Sequence, residues 1–177
     1  MSEALDPPVA TRPIFAGKVV SLRVSEYRRR SGLVVTREVL DHPGAVVMVP
    51  VEGDHVLMVR QPREAIGRYL LELPAGKLDA PGEDPLDCAR RELAEEVGRG
   101  ARSWRSLGGF YTAPAILTEY IHCYLATDLF PVDHPPLEEE EIEVVPRRLD
   151  ELPRLLAEVE DAKSLVGLLR LARELGL

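Results

Sequence analysis

The chain has 177 residues, a formal net charge of −8 at pH 7, and 45% hydrophobic residues. This size favours one domain with a real apolar core and at most a small appendage, and no apolar run approaches the roughly 18 residues of a membrane-spanning helix. The negative charge and the lack of a long basic run argue against nucleic acid as the main partner, although bound cations could still attract a phosphorylated small molecule.

The N-terminal sequence and the spacing of the two cysteines favour a cytoplasmic location. Residues 1–16 are proline-rich and lack the basic start and apolar block of a secretory signal, so we expect an extended or loosely ordered segment. Cys88 and Cys123 lack CxxC spacing, which is typical of reduced structural thiols. We therefore expect a cytoplasmic protein that does not bind membranes.

The first half of the chain has the pattern of strands. Residues 17–24 and 33–40 are predicted to be strands, joined by a hairpin turn at 28–32 whose three arginines we interpret as solvated. Residues 45–51 are nearly all apolar, as in a strand that is covered on both faces, and residues 55–59 form a further strand.

A helix is well specified after residue 84. Asp84 is a suitable N-cap, Pro85 suits the first helical position, and Gly98 suits the C-terminal cap. Apolar residues recur at helical spacing and predict a buried stripe formed by Leu86, Ala89, Leu93 and Val97. The strongly acidic face of this helix therefore lies beside the core.

Strands at 104–110, 120–126 and 142–145 and closing helices at 150–159 and 162–175 complete the pattern. Strands flank a central helix and further helices end the chain, which predicts a mixed α/β sandwich.

The acidic helix carries an electrostatic problem. Glu92 and Glu96 share one helix face, with Glu95 beside them. Two carboxylates about 6 Å apart repel by roughly 0.7 kcal/mol in water but by nearly 3 kcal/mol at an effective dielectric constant near 20. In a cleft, such a cluster needs cations, for which a divalent metal and Arg91 are the candidates.

The order of Gly76, Glu83 and residues 91–98 (RELAEEVG) resembles the Nudix box, the signature of hydrolases that cut a nucleoside diphosphate linked to another group. Two positions depart from the pattern. Six residues rather than five separate Gly76 from Glu83, and Arg99 stands where an aliphatic residue is usual. We place the extra residue in the loop, which leaves the helical carboxylates in register.

The resemblance extends to the ADP-ribose pyrophosphatase group. Residues 71–76 (LELPAG), 59–63 (VRQPR) and 42–45 (HPGA) fit that group, and Pro114 lies 16 residues after Gly98, where a proline is its hallmark. Glu119 matches the acid five residues beyond that proline, and residues 138–144 resemble the acidic loop that supplies the general base.

The resemblance implies a fold and a domain organisation. We expect an α/β fold, a Nudix-type α/β/α sandwich with a mixed sheet, in residues 42–177. Residues 1–41 would form an N-terminal tail and a small antiparallel β part that supports a homodimer and could be exchanged between subunits.

The resemblance also implies metal ligands and catalytic residues. Glu92 and Glu96 would be the principal ligands of Mg²⁺, or of Mn²⁺ or another divalent ion, together with the carbonyl of Ala75 and with Glu140. Glu95 and Glu83 would assist, and Arg91 is interpreted as an internal partner of the glutamates. Glu138 would be the general base, although the four consecutive glutamates at 138–141 permit a shift by one.

Four residues are candidates for substrate binding. Arg63 is the main candidate for a phosphate contact, Arg60 and Glu72 are weaker ones, and Pro114 would select the substrate. The implied activity is Mg²⁺-dependent hydrolysis of ADP-ribose to AMP and ribose 5-phosphate. Two alternatives stay open: a pyrophosphatase for other nucleotide sugars, for dinucleotides such as NADH or FAD or for nucleoside triphosphates, and a non-catalytic ADP-ribose sensor.

Overall fold

The computed structural model describes residues 4–78, 80, 82–133 and 141–177. Close contacts divide the chain into two compact units. The first, here called the N-terminal unit, is Met1–Gly44 with Tyr111–Tyr120. The second, here called the main unit, is Ala45–Phe110 with Ile121–Leu177. No helix in the described part of the chain is long and apolar enough to cross a membrane.

The N-terminal unit contains an antiparallel sheet of three strands, β1 (Ala10–Ala16), β2 (Ser21–Arg28) and β3 (Val34–Asp41), in that order. Residues 1–16 are expected to be extended or loosely ordered, and the extended part includes β1, which is not predicted as a strand. Every residue of β1 is exposed, so its sequence shows no buried alternation, and its strand structure depends on backbone pairing with β2. The predicted hairpin turn lies one residue further along, between Arg28 and Val34, where the N–H of Arg29 donates to the carbonyl of Leu33 at 2.8 Å.

The main unit is built on a mixed sheet. Its strands are β4 (Ala45–Glu52), β5 (His55–Arg63), β6 (Arg68–Glu72), β7 (Ala75–Lys77), β8 (Arg99–Tyr111), β9 (Tyr120–Pro131) and β10 (Glu143–Arg148). The order is β10-β5-β4-β9-β8, with β6 paired to β5 and β7 to β4. Strands β4 and β9 run parallel, whereas β4 pairs antiparallel with β5 and β7. The sheet is therefore mixed, as predicted.

Among the described residues, three α-helices cover the sheet: α1 (Pro85–Val97), α2 (Leu152–Glu158) and α3 (Ala162–Glu174). The predicted cap of α1 is confirmed, because Asp84 accepts a hydrogen bond from the N–H of Leu86 at 2.8 Å, and Gly98 has a φ of 65°. The predicted closing helices at 150–159 and 162–175 correspond to α2 and α3 within a few residues.

Two apolar cores lie on opposite faces of the sheet. Alternate residues of β4 divide between them: Val47 and Val49 belong to the core that includes α2 and α3, and Val46 and Met48 belong to the core that includes α1. All four are fully buried. A strand covered on both faces must be apolar at every position, which explains the continuous apolar run from residue 45. The layers are helix, sheet and helix.

Candidate active site

Gly76 and Glu92 form a very close contact between β7 and α1. A Cβ atom built on Gly76 would lie 1.9 Å from Cδ of Glu92, far closer than real Cβ contacts. Only glycine therefore leaves room for this carboxylate against the backbone. Glu92 is 9% exposed, so its charge is held largely away from bulk water.

Glu96 reaches the same backbone segment from the next turn of α1. Its Oε2 accepts a hydrogen bond from the N–H of Ala75, with 3.0 Å between the two atoms. Residues four apart share a helix face, which is why Glu92 and Glu96 both reach β7. The structure thus brings together Ala75, Glu92 and Glu96, three of the metal ligands that the resemblance implies.

Arg91 lies among three of the glutamates. Its guanidinium donates to Glu83 through Nε (3.1 Å) and Nη2 (3.2 Å), and its Nη1 donates to Glu92 (2.7 Å) and Glu95 (3.2 Å). The internal pairing that the sequence predicts is therefore present. The catalytic roles of Arg91 and Glu95 stay predictions.

These contacts shift the ionisation of the cluster. The hydrogen bond to Glu83 and the charge of Glu92 raise the pKa of Arg91 above its ordinary value despite partial burial. The same hydrogen bond from Arg91 lowers the pKa of Glu83. Arg91 therefore stays a cation and offsets part of the repulsion between the carboxylates.

Cys88 lies beside this cluster but does not suit nucleophilic chemistry. Burial, followed by the negative charges of Glu83 and Glu92, raises the pKa of its thiol to about 12. The thiol donates a hydrogen bond to the carbonyl of Lys77 at 3.3 Å. Because the thiolate is the nucleophile, a thiol that stays protonated at neutral pH is a structural group. Cys88 and Cys123 are both free, as predicted, and both are buried.

The donor set has the chemistry of a divalent-cation site. Carboxylate and carbonyl oxygens are the ligands that Mg²⁺ and Mn²⁺ prefer. Among the described residues, however, no three His, Cys, Asp or Glu side chains are grouped so as to hold an ion. Arg91 draws oxygens of Glu83, Glu92 and Glu95 towards itself, so an ion at Glu92 or Glu95 would have to compete with these contacts.

A second charged cluster surrounds Glu72. Nε and Nη2 of Arg63 donate to its two carboxylate oxygens at 2.7 and 2.5 Å, and the ammonium of Lys163 donates to Oε2 as well. The Glu72 side chain is only 1% exposed. Both cations come from other parts of the fold: Arg63 ends β5, and Lys163 lies in the first turn of α3.

The residues of α3 in this cluster were missed by the sequence analysis. Asp161 caps α3 by accepting from the N–H of Ser164 at 3.0 Å, and it also accepts from the ammonium of Lys163 at 2.9 Å. A signal was present, because an aspartate directly before a periodic helix is a typical N-cap. A lysine in the first turn is unfavourable for the helix dipole, and that anomaly could have indicated a buried acidic partner.

Arg60 occupies an exposed position beside Tyr69 and Glu143. Its guanidinium lies 4.8 Å from the ring centroid of Tyr69 and 3.6 Å from a carboxylate oxygen of Glu143. The Tyr69 hydroxyl donates to Glu141 at 2.6 Å. Glu138 and Glu140, the predicted base and the further metal ligand, lie outside the described residues.

Pro114 lies in the N-terminal unit, in the segment between β8 and β9. This segment is fixed to β3, because the N–H of Leu40 donates to the carbonyl of Ile116 and the N–H of Thr118 donates to the carbonyl of Leu40. Glu119 accepts from the Thr112 hydroxyl at 2.6 Å and lies 3.6 Å from Nε2 of His42. The segment that contains Pro114, the predicted substrate-selecting residue, is thus held to β3 by backbone hydrogen bonds.

A mixed sheet between helices, with a glutamate-rich helix (α1) packed against the glycine-containing strand β7, is the arrangement of the Nudix class. The family model described as the NUDIX domain matches residues 41–167. The chain therefore belongs to the Nudix family and is a Nudix hydrolase, which confirms the family and the enzyme class predicted from the sequence.

Relatives support this placement. The chain is 36% identical over 169 residues to an ADP-ribose pyrophosphatase of Bacillus subtilis (strain 168), covering 93% of this chain and 91% of the relative. It is 41% identical over 137 residues to an ADP-ribose pyrophosphatase of Mycobacterium tuberculosis, covering 77% of this chain and 66% of the relative. A crystal structure of an ADP compounds hydrolase has the same fold, with a TM-score of 0.85 and 24% identity over 99% of this chain and 97% of that chain. The predicted fold class is confirmed.

Proposed function

We propose that this Nudix hydrolase cleaves the pyrophosphate bond of ADP-ribose in the presence of Mg²⁺ and releases AMP and ribose 5-phosphate. The observation that carries the proposal is the convergence of Glu92 and Glu96 on the backbone of residues 75–76. The names of two relatives, both ADP-ribose pyrophosphatases, favour this substrate.

Glu92 and Glu96, the carbonyl of Ala75 and Glu140 would hold the cation, and Glu95 would assist. A bound divalent ion neutralises phosphoryl charge and makes a coordinated water more acidic. The chain's own part is to hold these oxygens in place: Gly76 lets Glu92 approach the backbone, and the N–H of Ala75 orients Glu96. Preorganised groups of this kind lower the barrier without reorganising during the reaction.

Arg63 would bind a phosphate of the substrate, with Arg60 as a second cation. Glu72 has both carboxylate oxygens engaged by Arg63 and Lys163, so its proposed part in substrate binding is to orient Arg63. Glu138, or a neighbour in the 138–141 run, would remove the proton from the attacking water. Pro114 would favour ADP-ribose over bulkier or differently shaped groups.

The wider setting is also a proposal. We expect a cytoplasmic protein that forms a homodimer. The dimer is expected because exposed apolar side chains in the N-terminal unit, among them Ile14 (44% exposed) and Phe15 (59% exposed), would be buried by a second copy.

A panel of substrates tests the function. ADP-ribose, other ADP-sugars, GDP-mannose, NADH, FAD and nucleoside triphosphates are assayed with Mg²⁺ or Mn²⁺ and after chelation with EDTA. We expect the highest kcat/KM with ADP-ribose and loss of turnover in EDTA. ADP-ribose ranking below another substrate would favour the broader pyrophosphatase alternative. Binding of ADP-ribose without cleavage of any substrate would favour the sensor.

A further inference from the structure

We propose that Lys163 is a positioning residue, which acts through Glu72 to hold Arg63 in the orientation that the substrate phosphate requires. The part of this proposal that concerns turnover rests on the proposed function above. Lys163 lies in α3, far along the sequence from Arg63, and its ammonium contacts Glu72, the carboxylate that Arg63 also binds.

Glu72 is the shared acceptor that links the two cations. Arg63 uses Nε and Nη2 to bind both carboxylate oxygens, and Lys163 binds Oε2 from another direction. A side chain that is 1% exposed cannot replace a lost partner with bulk water. Removal of the lysine would therefore leave one carboxylate oxygen with fewer donors and let Glu72 and Arg63 rearrange together.

One edge of the Arg63 guanidinium is fixed by its hydrogen bonds to Glu72, and the other edge is available to a ligand. In the part of the chain that the structure describes, no residue accepts a hydrogen bond from its Nη1, and 39% of its side chain is exposed. The guanidinium is planar, so two bonds to Glu72 fix the direction of the remaining N–H groups. The hydrogen bond to Glu72 is the main cause of the raised pKa of Arg63, and the charges of Glu72, Asp161 and Glu96 add to it.

Lys163 is itself held rigidly. Its ammonium also donates to Asp161 at 2.9 Å, and Asp161 accepts from the hydroxyl of Ser164 at 2.6 Å. The buried Ser164 hydroxyl in turn accepts from the N–H of Leu73 at 2.7 Å. Consecutive residues of α3 therefore bind the consecutive residues Glu72 and Leu73. Ser164 already attaches the helix, so the specific contribution of Lys163 is its charge at Glu72.

A merely structural ion pair would give a different result. Loss of a stabilising contact lowers the melting temperature but leaves kcat/KM of the folded enzyme unchanged. Loss of a positioning contact lowers kcat/KM, and that loss disappears once Arg63 is absent. A double-mutant cycle separates the two cases.

The experiment compares Lys163→Met, Lys163→Arg and the control Arg173→Met, which alters an exposed cation at the far end of α3. We expect Lys163→Met to lower kcat/KM for ADP-ribose about tenfold, the lower range for residues that orient ligands. The conservative Lys163→Arg should restore most of the activity, and the control should change nothing. In an Arg63→Met background, Lys163→Met should have less than about a twofold effect. Equal losses in both backgrounds, or no loss in folded Lys163→Met, would overturn the proposal.

A second readout is independent of turnover. Hydrogen exchange of the Arg63 Nε–H, measured by NMR in ¹⁵N-labelled full-length protein, should be about tenfold faster in Lys163→Met than in wild type, because its acceptor is no longer held. Lys163→Gln replaces the methionine variant if the latter does not fold. If wild type fails to cleave ADP-ribose, the proposed function fails, and an unchanged Arg63 exchange rate would separately refute the positioning role.

Discussion

Glu92 packs against Gly76 so closely that a Cβ atom on the glycine would lie 1.9 Å from Cδ of the glutamate. The contact joins β7 to α1 at the point where the carboxylates converge. It also explains why position 76 in β7 must lack a side chain.

Gly76→Ala should therefore damage catalysis. The new methyl group would push the Glu92 carboxylate away from the backbone by about 1 Å or more, and a misplacement of that size can lower the rate about 100-fold. The measurement is kcat/KM for ADP-ribose at saturating Mg²⁺.

Gly100→Ala is the matched steric control for this variant. A Cβ atom there would lie 2.4 Å from the ring of Phe130, so the variant meets a comparable clash with an aromatic ring rather than with a carboxylate. We expect a lower melting temperature with nearly unchanged kcat/KM. Equal losses of activity in both variants would show that general destabilisation explains the effect of Gly76→Ala.

Glu96→Gln isolates the charge of the second carboxylate. The amide oxygen can still accept the hydrogen bond from Ala75, so the fold should be retained while the charge of a proposed metal ligand is lost. We expect kcat to fall at least about 100-fold, the lower range for loss of a major catalytic interaction. Steady-state kinetics with a Mg²⁺ titration test this, and near-native turnover would remove Glu96 from the metal site.

The helical part of the site could be predicted from sequence because its geometry is local. The spacing of Glu92 and Glu96 and the cap at Asp84 fix one helix face without reference to the rest of the fold. The cluster at Glu72 could not be predicted in this way, because Lys163 reaches it across 91 positions of sequence. Strand β1 escaped prediction for a related reason: its residues are all exposed, so only pairing with β2 reveals it.

Acid should weaken the contribution of Lys163 to stability. Burial raises the pKa of Glu72, but the hydrogen bond from Arg63 and the charge of Lys163 outweigh it, so the pKa lies below its ordinary 4.5. Burial likewise raises the pKa of Asp161, and the charge of Lys163 and the hydrogen bonds of Ser164 bring it below 3.8. A carboxyl group with a lowered folded pKa stabilises the fold above its unfolded pKa and loses that effect as the pH falls through the folded pKa.

Lys163→Met should therefore reduce the free energy of unfolding by about 2 kcal/mol at neutral pH, the typical value of a hydrogen bond to a charged group. The difference from wild type should shrink as the pH falls below the ordinary values of the two carboxyls. Urea denaturation of both proteins across this range measures it. A difference that is constant with pH would show that the lysine stabilises the fold by packing rather than by charge.

Pro114→Ala should relax substrate choice more than it lowers turnover. The backbone of the segment remains bound to Leu40 through Ile116 and Thr118, so the loop should persist with one rigid residue removed. We expect the ratio of kcat/KM for ADP-ribose to that for NADH to fall about tenfold, within the range of a single pocket contact. Pro153→Ala, at the exposed start of α2, is the control and should leave the ratio unchanged.

The choice of base within residues 138–141 can be settled by single substitutions. If Glu138 takes the proton from the attacking water, Glu138→Gln should lower kcat at least about 100-fold and remove the acidic limb of the pH–rate profile. Glu140→Gln should keep that limb and raise the Mg²⁺ concentration required for half-maximal rate, because it would remove a proposed metal ligand. Glu141→Gln tests the last residue of the run: its carboxylate accepts from the Tyr69 hydroxyl at 2.6 Å, and we expect this variant to leave the profile intact. Loss of the acidic limb in Glu140→Gln alone would instead identify Glu140 as the base.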